Sequence, residues 1–233
     1  MRPVNRGPRP LDNEGNPRQF EKYKRAFRYL IDRIGSYCSY CERRLASNLA
    51  VEHVQPKTPV PALELEWDNF LLGCVNCNST KGDTVPTMAN YPWPDSENSF
   101  RYYDCDAEGR VIPKEGLNPQ DRLKAEKMIR LTGLDKTQPE EGTSDWEEAS
   151  DRRQEQRIKS LMESEEKRIA YEQMPSEVRP HFISFLVTIV EADGFWSVWM
   201  RAFQDFPEVQ QALIQALPGT TAQHFQTADT DTP

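Results

Sequence analysis

The chain has 233 residues, of which 37% are hydrophobic and 28% charged; that length supports one or two domains with a self-sufficient core, and the composition is too apolar for a wholly disordered chain. The longest strongly apolar stretch, Phe182 to Val190, is about half of the roughly 20 residues that span a bilayer, and the Met-Arg-Pro-Val-Asn-Arg-Gly start has no apolar signal region, so a cytoplasmic protein with no membrane segment is expected. The formal net charge of −8 is uneven, with +6 over residues 1–50, −5 over 51–100 and −9 over 101–233, which makes the N-terminal block the natural place for contact with a phosphate backbone.

In chain order, the first predicted element is a helix from Asn16 to Gly35, with Asn16 as cap, Pro17 in the first turn and Gly35 as stop. Phe20, Tyr23, Phe27, Leu30, Ile31 and Ile34 recur at three-to-four spacing and define its apolar face. Lys22, Arg25, Arg28 and Arg33 lie largely off that face, and Arg25 and Arg28 are candidates for lying along a nucleic-acid backbone.

Next come Cys38-Ser39-Tyr40-Cys41 and Cys74-Val75-Asn76-Cys77, two C-x2-C pairs separated by 32 residues. In a reducing compartment such pairs read as metal ligands and not as disulfides. Cys38, Cys41, Cys74 and Cys77 suit one tetrahedral zinc, and a site closed by four thiolates is structural because it leaves no open position. Cys105, between Asp104 and Asp106, is read as a free cysteine.

Between the pairs, Ala50-Val51-Glu52-His53-Val54-Gln55-Pro56-Lys57 places a carboxylate and an imidazole side by side on a β-branched run. Such a histidine is either structural or a general base beside a carboxylate able to hold a metal. Further on stand Trp67-Asp68-Asn69-Phe70-Leu71-Leu72-Gly73 and then Cys77-Asn78-Ser79-Thr80-Lys81-Gly82-Asp83.

With Glu52-His53, Asn69 and Cys74-x-x-Cys77-Asn78-x-x-Lys81 in this order, and the Cys38/Cys41 pair upstream, the sequence resembles the HNH nuclease family in its four-cysteine zinc branch. The resemblance spans about residues 37–83 and implies a ββα-metal core. It implies that His53 is the general base that deprotonates water, and that Glu52 and Asn78 hold one catalytic divalent cation, magnesium or manganese. Asn69 would fix the loop and orient His53. Lys57 and Lys81 are candidates for phosphate contact. Glu52 stands where the family varies among Asp, His and Glu.

After the motif, the Pro- and aromatic-rich segment from Thr84 to Pro113 reads as irregular chain ending in a short hairpin that turns near Glu108-Gly109. A helix from Pro119 to about Thr132 follows, capped by Asn118 and stopped by Gly133. Asp135 to Gly142 is a polar linker. Ser144-Asp145-Trp146-Glu147 is a capping-box pattern opening a charged helix to about Gln173, with Ile158, Leu161, Met162 and Ile169 as a narrow apolar stripe. Three further helices, broken at Gly194 and Pro207, form a small bundle with core residues from Phe182 to Leu217.

The predicted fold class is therefore α+β: a zinc-stapled ββα-metal core with a basic N-terminal helix and a mostly helical C-terminal region. The predicted divisions are a basic segment at 1–36, the nuclease core at 37–112, a helix and linker at 113–143, a helical partner-docking region at 144–218 and a disordered tail at 219–233. The whole layout, with Ala125-Glu126-Lys127-Met128-Ile129-Arg130-Leu131-Thr132-Gly133-Leu134 before a charged helix, is similar to PtuB-type nucleases of Septu and retron-associated anti-phage systems. That similarity implies an ABC-type ATPase partner like PtuA, and the expected substrate is DNA. The alternatives are a zinc-dependent nucleic-acid-binding module without catalysis, and a scaffold that docks a partner.

Overall fold

The computed structural model describes residues 1–225; the remainder of the tail expected to be disordered lies outside the described residues. The first 22 residues wrap the core without forming a helix. Asp12 closes a turn in which its carboxylate accepts from the Glu14 and Asn16 amides and its own amide donates to Asn16 O. Asn16 is thereby held in that turn and cannot cap, so the helix predicted from Asn16 begins later. A 3-10 turn at Tyr23–Ala26 leads into α1 (Phe27–Ile34), ended by Gly35 as expected. Leu30 and Ile34 carry its buried face, while Arg25 and Arg28 stay exposed.

β1 (Leu49–His53) and β2 (Phe70–Cys74) pair antiparallel with Leu49 opposite Cys74, Val51 opposite Leu72 and His53 opposite Phe70. β2 is buried at every position, because α1 packs against it as does α2 (Val75–Lys81); an alternating pattern is lost when both faces are covered. β3 (Tyr103–Cys105) and β4 (Val111–Pro113) form the predicted hairpin. α3 (Pro119–Thr132) has both ends where the sequence puts them, with Asn118 Oδ1 accepting from the Asp121 amide at 2.9 Å and Gly133 in the left-handed region.

The charged helix differs from its prediction. Thr143, not Ser144, caps a short α4 (Ser144–Glu148), and the chain breaks before α5 (Arg153–Glu172). The predicted apolar stripe is not the buried one: Met162 is 70% and Ile169 44% exposed. The side chains that face inward are Arg153, Gln154, Arg157, Ser160, Ser164 and Tyr171. α6 (Arg179–Asp193), α7 (Trp196–Ala202) and α8 (Pro207–Ala216) complete the fold, with breaks at Gly194 and before Pro207.

Among the described residues, two apolar cores result. One joins residues of the N-terminal segment, α1, both strands of the β1–β2 pair, the cysteines and α3, so residues from 1–36, 37–112 and 113–143 share it. The other is built from Tyr37, Tyr171, side chains of α6, α7 and α8, among them Trp196, Trp199 and Leu213, and Phe203 just after α7. The tail starts ordered: Gly219 O accepts from the Asn5 amide, and Thr220 bridges Val4. Among the described residues no helix is long and apolar enough to cross a membrane.

Candidate metal centre and active site

The two cysteine pairs meet at the β1–β2 end farthest from His53, because Cys74 closes β2 opposite Leu49. Their four Sγ atoms lie within 4.8 Å of one another, all on buried residues. A zinc–sulfur bond of about 2.3 Å places tetrahedral sulfurs about 3.8 Å apart, and Cys41 Sγ and Cys74 Sγ stand at 3.7 Å. The Cys74 amide donates to Cys38 Sγ and the Cys77 amide to Cys74 Sγ, bonds that favour thiolate over thiol. Four thiolates around a divalent ion leave a net charge of −2, and two arginines offset it. Arg153 Nη1 reaches Cys77 Sγ at 3.1 Å, and the charge on Cys41 and Cys74 holds the Arg43 guanidinium above its ordinary value against the opposing effect of burial. The donor set and its surroundings thus fit zinc.

The second site gathers at the other end of the strands. Glu52 and His53 close β1, and α2 folds back so that Asn78 and Lys81 come beside them. A notch of about 130 Å³ is lined by Tyr23, Glu52, His53, Lys57, Asn78 and Lys81, among others. A further cavity of about 280 Å³ lies between the two cores, near Tyr103, Cys105, Arg157 and Phe195, and lacks the carboxylate, imidazole and amide set that converges on the notch.

His53 Nε2 lies 3.0 Å from the Glu64 carbonyl oxygen. A carbonyl only accepts, so Nε2 carries the hydrogen and a neutral His53 keeps its lone pair on Nδ1. Burial lowers the imidazole pKa, with the nearby charges of Lys57 and Lys81 acting in the same direction. Phe70, opposite His53 across the strands, meets the imidazole edge to face at 5.3 Å.

Glu52 is buried, and its Oε1 lies 3.0 Å from Lys81 Nζ and 3.4 Å from Tyr40 Oη. Burial raises its pKa, with Lys81 opposing. Gly73 makes room for it, since a Cβ there would come within 3.0 Å of Glu52 Cβ. Lys81 corrects the expectation of a phosphate contact: it is 2% exposed, and Nζ donates to His53 O at 2.7 Å as well as pairing with Glu52. Its charge is spent inside the protein, compensating a carboxylate that could not be left buried alone.

Asn69 is buried and bonded on both sides of its amide. Oδ1 accepts from the Gln55 amide, while Nδ2 donates to Gln55 O and Leu63 O, which ties both ends of the loop from 54 to 69. Asn78 is half-buried at the notch and offers a second oxygen beside Glu52. Lys57 is half-buried, with its ammonium 4.4 Å from the Tyr23 ring centre. Arg25 and Arg28 are not among the residues lining the notch, and Arg25 pairs with Glu21 on the surface.

The sequence alone does not point to Tyr23, Tyr40, Gly73 or the Glu64 carbonyl as parts of this site. Tyr40 lies inside the Cys38–Cys41 clip, and that was the one available signal. The others are brought in by the fold.

Comparison with known proteins agrees with this geometry. Residues 38–84 match the family model described as HNH endonuclease. The chain is also 39% identical over 112 residues to the Septu protein PtuB of Bacillus thuringiensis, a match covering 43% of this chain and 44% of that relative. The chain therefore spans less than half the length of the curated relative it matches. Both cysteine pairs, both strands of the notch and the helix that carries Asn78 fall inside the matched segment, so the part of the chain that is similar to the HNH endonuclease family is the part that builds both sites.

Proposed function

We propose that the protein is a metal-dependent endonuclease that hydrolyses phosphodiester bonds in DNA, with the notch at His53 as its active site. The observation that carries this reading is the convergence of a neutral imidazole, whose free nitrogen is Nδ1, with two hard oxygen donors on a pocket of water-and-phosphate size. His53 Nδ1 accepts a proton from a water molecule as the water oxygen attacks phosphorus. The bond from phosphorus to the 3′ oxygen breaks, and that oxygen departs with the electron pair.

Glu52 and Asn78 would hold one magnesium or manganese ion through their oxygens; two protein ligands suit a cation that keeps several waters and takes phosphate oxygens in its other positions. When bound, the ion supplies charge stabilisation to the scissile phosphate and the leaving oxygen. Lys81 offsets the charge of Glu52 until a cation takes up part of it. Asn69 holds the loop that supplies the Glu64 carbonyl, and so holds the base in its tautomer. Lys57 meets a substrate phosphate, and Arg25 and Arg28 extend the positive surface along the backbone.

The similarity to a Septu protein supports a role in anti-phage defence beside a PtuA-like ABC-type ATPase. Divisions at 1–143 and 144–218, following the two cores, fit a nuclease unit and a docking unit. Exposed apolar side chains at the start of this region support the docking reading, with Phe185 on α6 52% exposed and Val178, just before the helix, 45% exposed. Large apolar side chains left this open are suited to burial against a partner.

The test is magnesium- or manganese-dependent cleavage of plasmid DNA and total RNA, comparing wild type with His53→Ala, with and without the protein encoded by the adjacent gene. Metal-dependent cutting of DNA that His53→Ala abolishes, with zinc content and thermal melting unchanged, is expected. Undiminished cutting by the variant would remove His53 as the base. Binding of nucleic acid without cutting under every condition would favour a zinc-dependent binding module.

A further inference from the structure

The His53 imidazole is fixed on three sides. Glu64 O takes Nε2, Phe70 packs from the sheet, and the third contact comes from outside the ββα unit: the Tyr23 ring, 4.8 Å away and inclined at 70°. Tyr23 is the first residue of the turn that opens α1, so an N-terminal element reaches over the end of β1. The same ring holds the Lys57 ammonium at 4.4 Å from its centre. Tyr23 also lines both the notch and the adjoining groove formed with Lys22, Lys24, Glu64 and Leu65.

An aromatic ring differs from any polar partner in what it leaves free. It attracts an ammonium through its quadrupole without neutralising it, so the lysine charge and its N–H donors remain available to phosphate. It restrains an imidazole through an edge contact without taking the lone pair on Nδ1. A carboxylate in the same place would cancel the charge of Lys57 or claim the proton of the base.

We propose that Tyr23 is a positioning residue of this site, whose ring sets the orientation of the His53 imidazole and the place of the Lys57 ammonium together. The inference rests on the reading of His53 as the base. It adds that base and phosphate contact are coupled through one side chain from the N-terminal segment, and that the ring, not the hydroxyl, does the coupling.

The experiment uses the full zinc-loaded chain under conditions in which wild type cuts plasmid DNA. Tyr23→Phe is expected to stay within about threefold of wild type in kcat and KM, whereas Tyr23→Leu lowers kcat by about 100-fold, as for a misplaced reacting group. Lys57→Ala is expected to raise KM about tenfold in wild type but no more than about twofold in the Tyr23→Leu background. Imidazole carbon–proton NMR signals of His53, assigned with His53→Ala, are expected to shift in Tyr23→Leu and hold in Tyr23→Phe, and thermal melting checks that both variants fold. Equal kcat in Tyr23→Leu and wild type, unmoved His53 signals, or an undiminished Lys57→Ala effect in the Tyr23→Leu background would overturn the proposal. Cutting undiminished by His53→Ala would overturn the reading of the base, and this proposal with it.

Discussion

Asn69 never faces the notch, yet it holds the loop on which His53, the proposed base, depends. Its amide bonds to Gln55 and Leu63, and Leu63 is followed by Glu64, whose carbonyl anchors His53. Asn69→Ala would leave two carbonyls and one amide of that loop without partners, for a loss of about 3 kcal/mol in denaturant unfolding and about 10–100-fold in cleavage; a kcat unchanged in the folded variant would sever the link between loop and base. Glu52, His53, Asn69 and Asn78 stand out as candidates in the sequence because they keep the spacing of the motif it resembles, and the fold brings Glu52, His53 and Asn78 to one notch. The inward place of Lys81 was not legible, since a lysine is presumed solvated and only the return of α2 onto β1 shows that it faces inward. Gly73 and Tyr23 were invisible for a related reason: their part is played in contacts between elements distant in sequence.

Among the elements, α3 and α5 show where periodicity serves and where it misleads. α3 has a cap, a stop and buried apolar residues such as Ala125 and Met128, so local chemistry and tertiary packing agree and both boundaries were read correctly. α5 buries a stripe at 153, 157, 160 and 164 made of Arg and Ser, and a search for apolar spacing selected the wrong face. The inward face is polar because it must satisfy other groups. Arg153 meets Cys77 Sγ and Thr132 O while pairing with Asp151, and Arg157 donates to Gly109 O. Arg153→Met would keep much of the stem's packing and remove the countercharge. Zinc affinity in a competition titration with a chromogenic chelator is expected to fall about 10–100-fold, with Arg153→Lys intermediate; an unaltered affinity would show that Arg153 serves packing only.

Across the whole molecule, the cysteine clip is also the joint. Cys38 to Arg44 form a tight hairpin in which Glu42 adopts a left-handed backbone. The Glu42 carboxylate accepts from the Ser197 amide at the start of α7, and Glu42 O accepts from the Phe195 amide. Gly194 lies against the same hairpin at φ +85°, and a Cβ there would fall 2.2 Å from Glu42 O and 2.7 Å from Arg44 N. Gly194→Ala is therefore expected to cost about 3 kcal/mol or more through overlap and backbone strain together, read as a lower denaturation midpoint; an unshifted midpoint would mean that the helical region rides loosely on the cysteine-bearing core. The two cores were foreseeable from composition, but their joint was not, because it is made largely of backbone. A clip roofed by α5 on one side and α7 on the other also bears on how fast the metal can leave. The four cysteines are at most 3% exposed, so an incoming chelator has no route to a sulfur until part of that roof lifts. Metal exchange should then run at the opening rate of the protein itself, giving a release half-life that does not shorten as chelator concentration is raised.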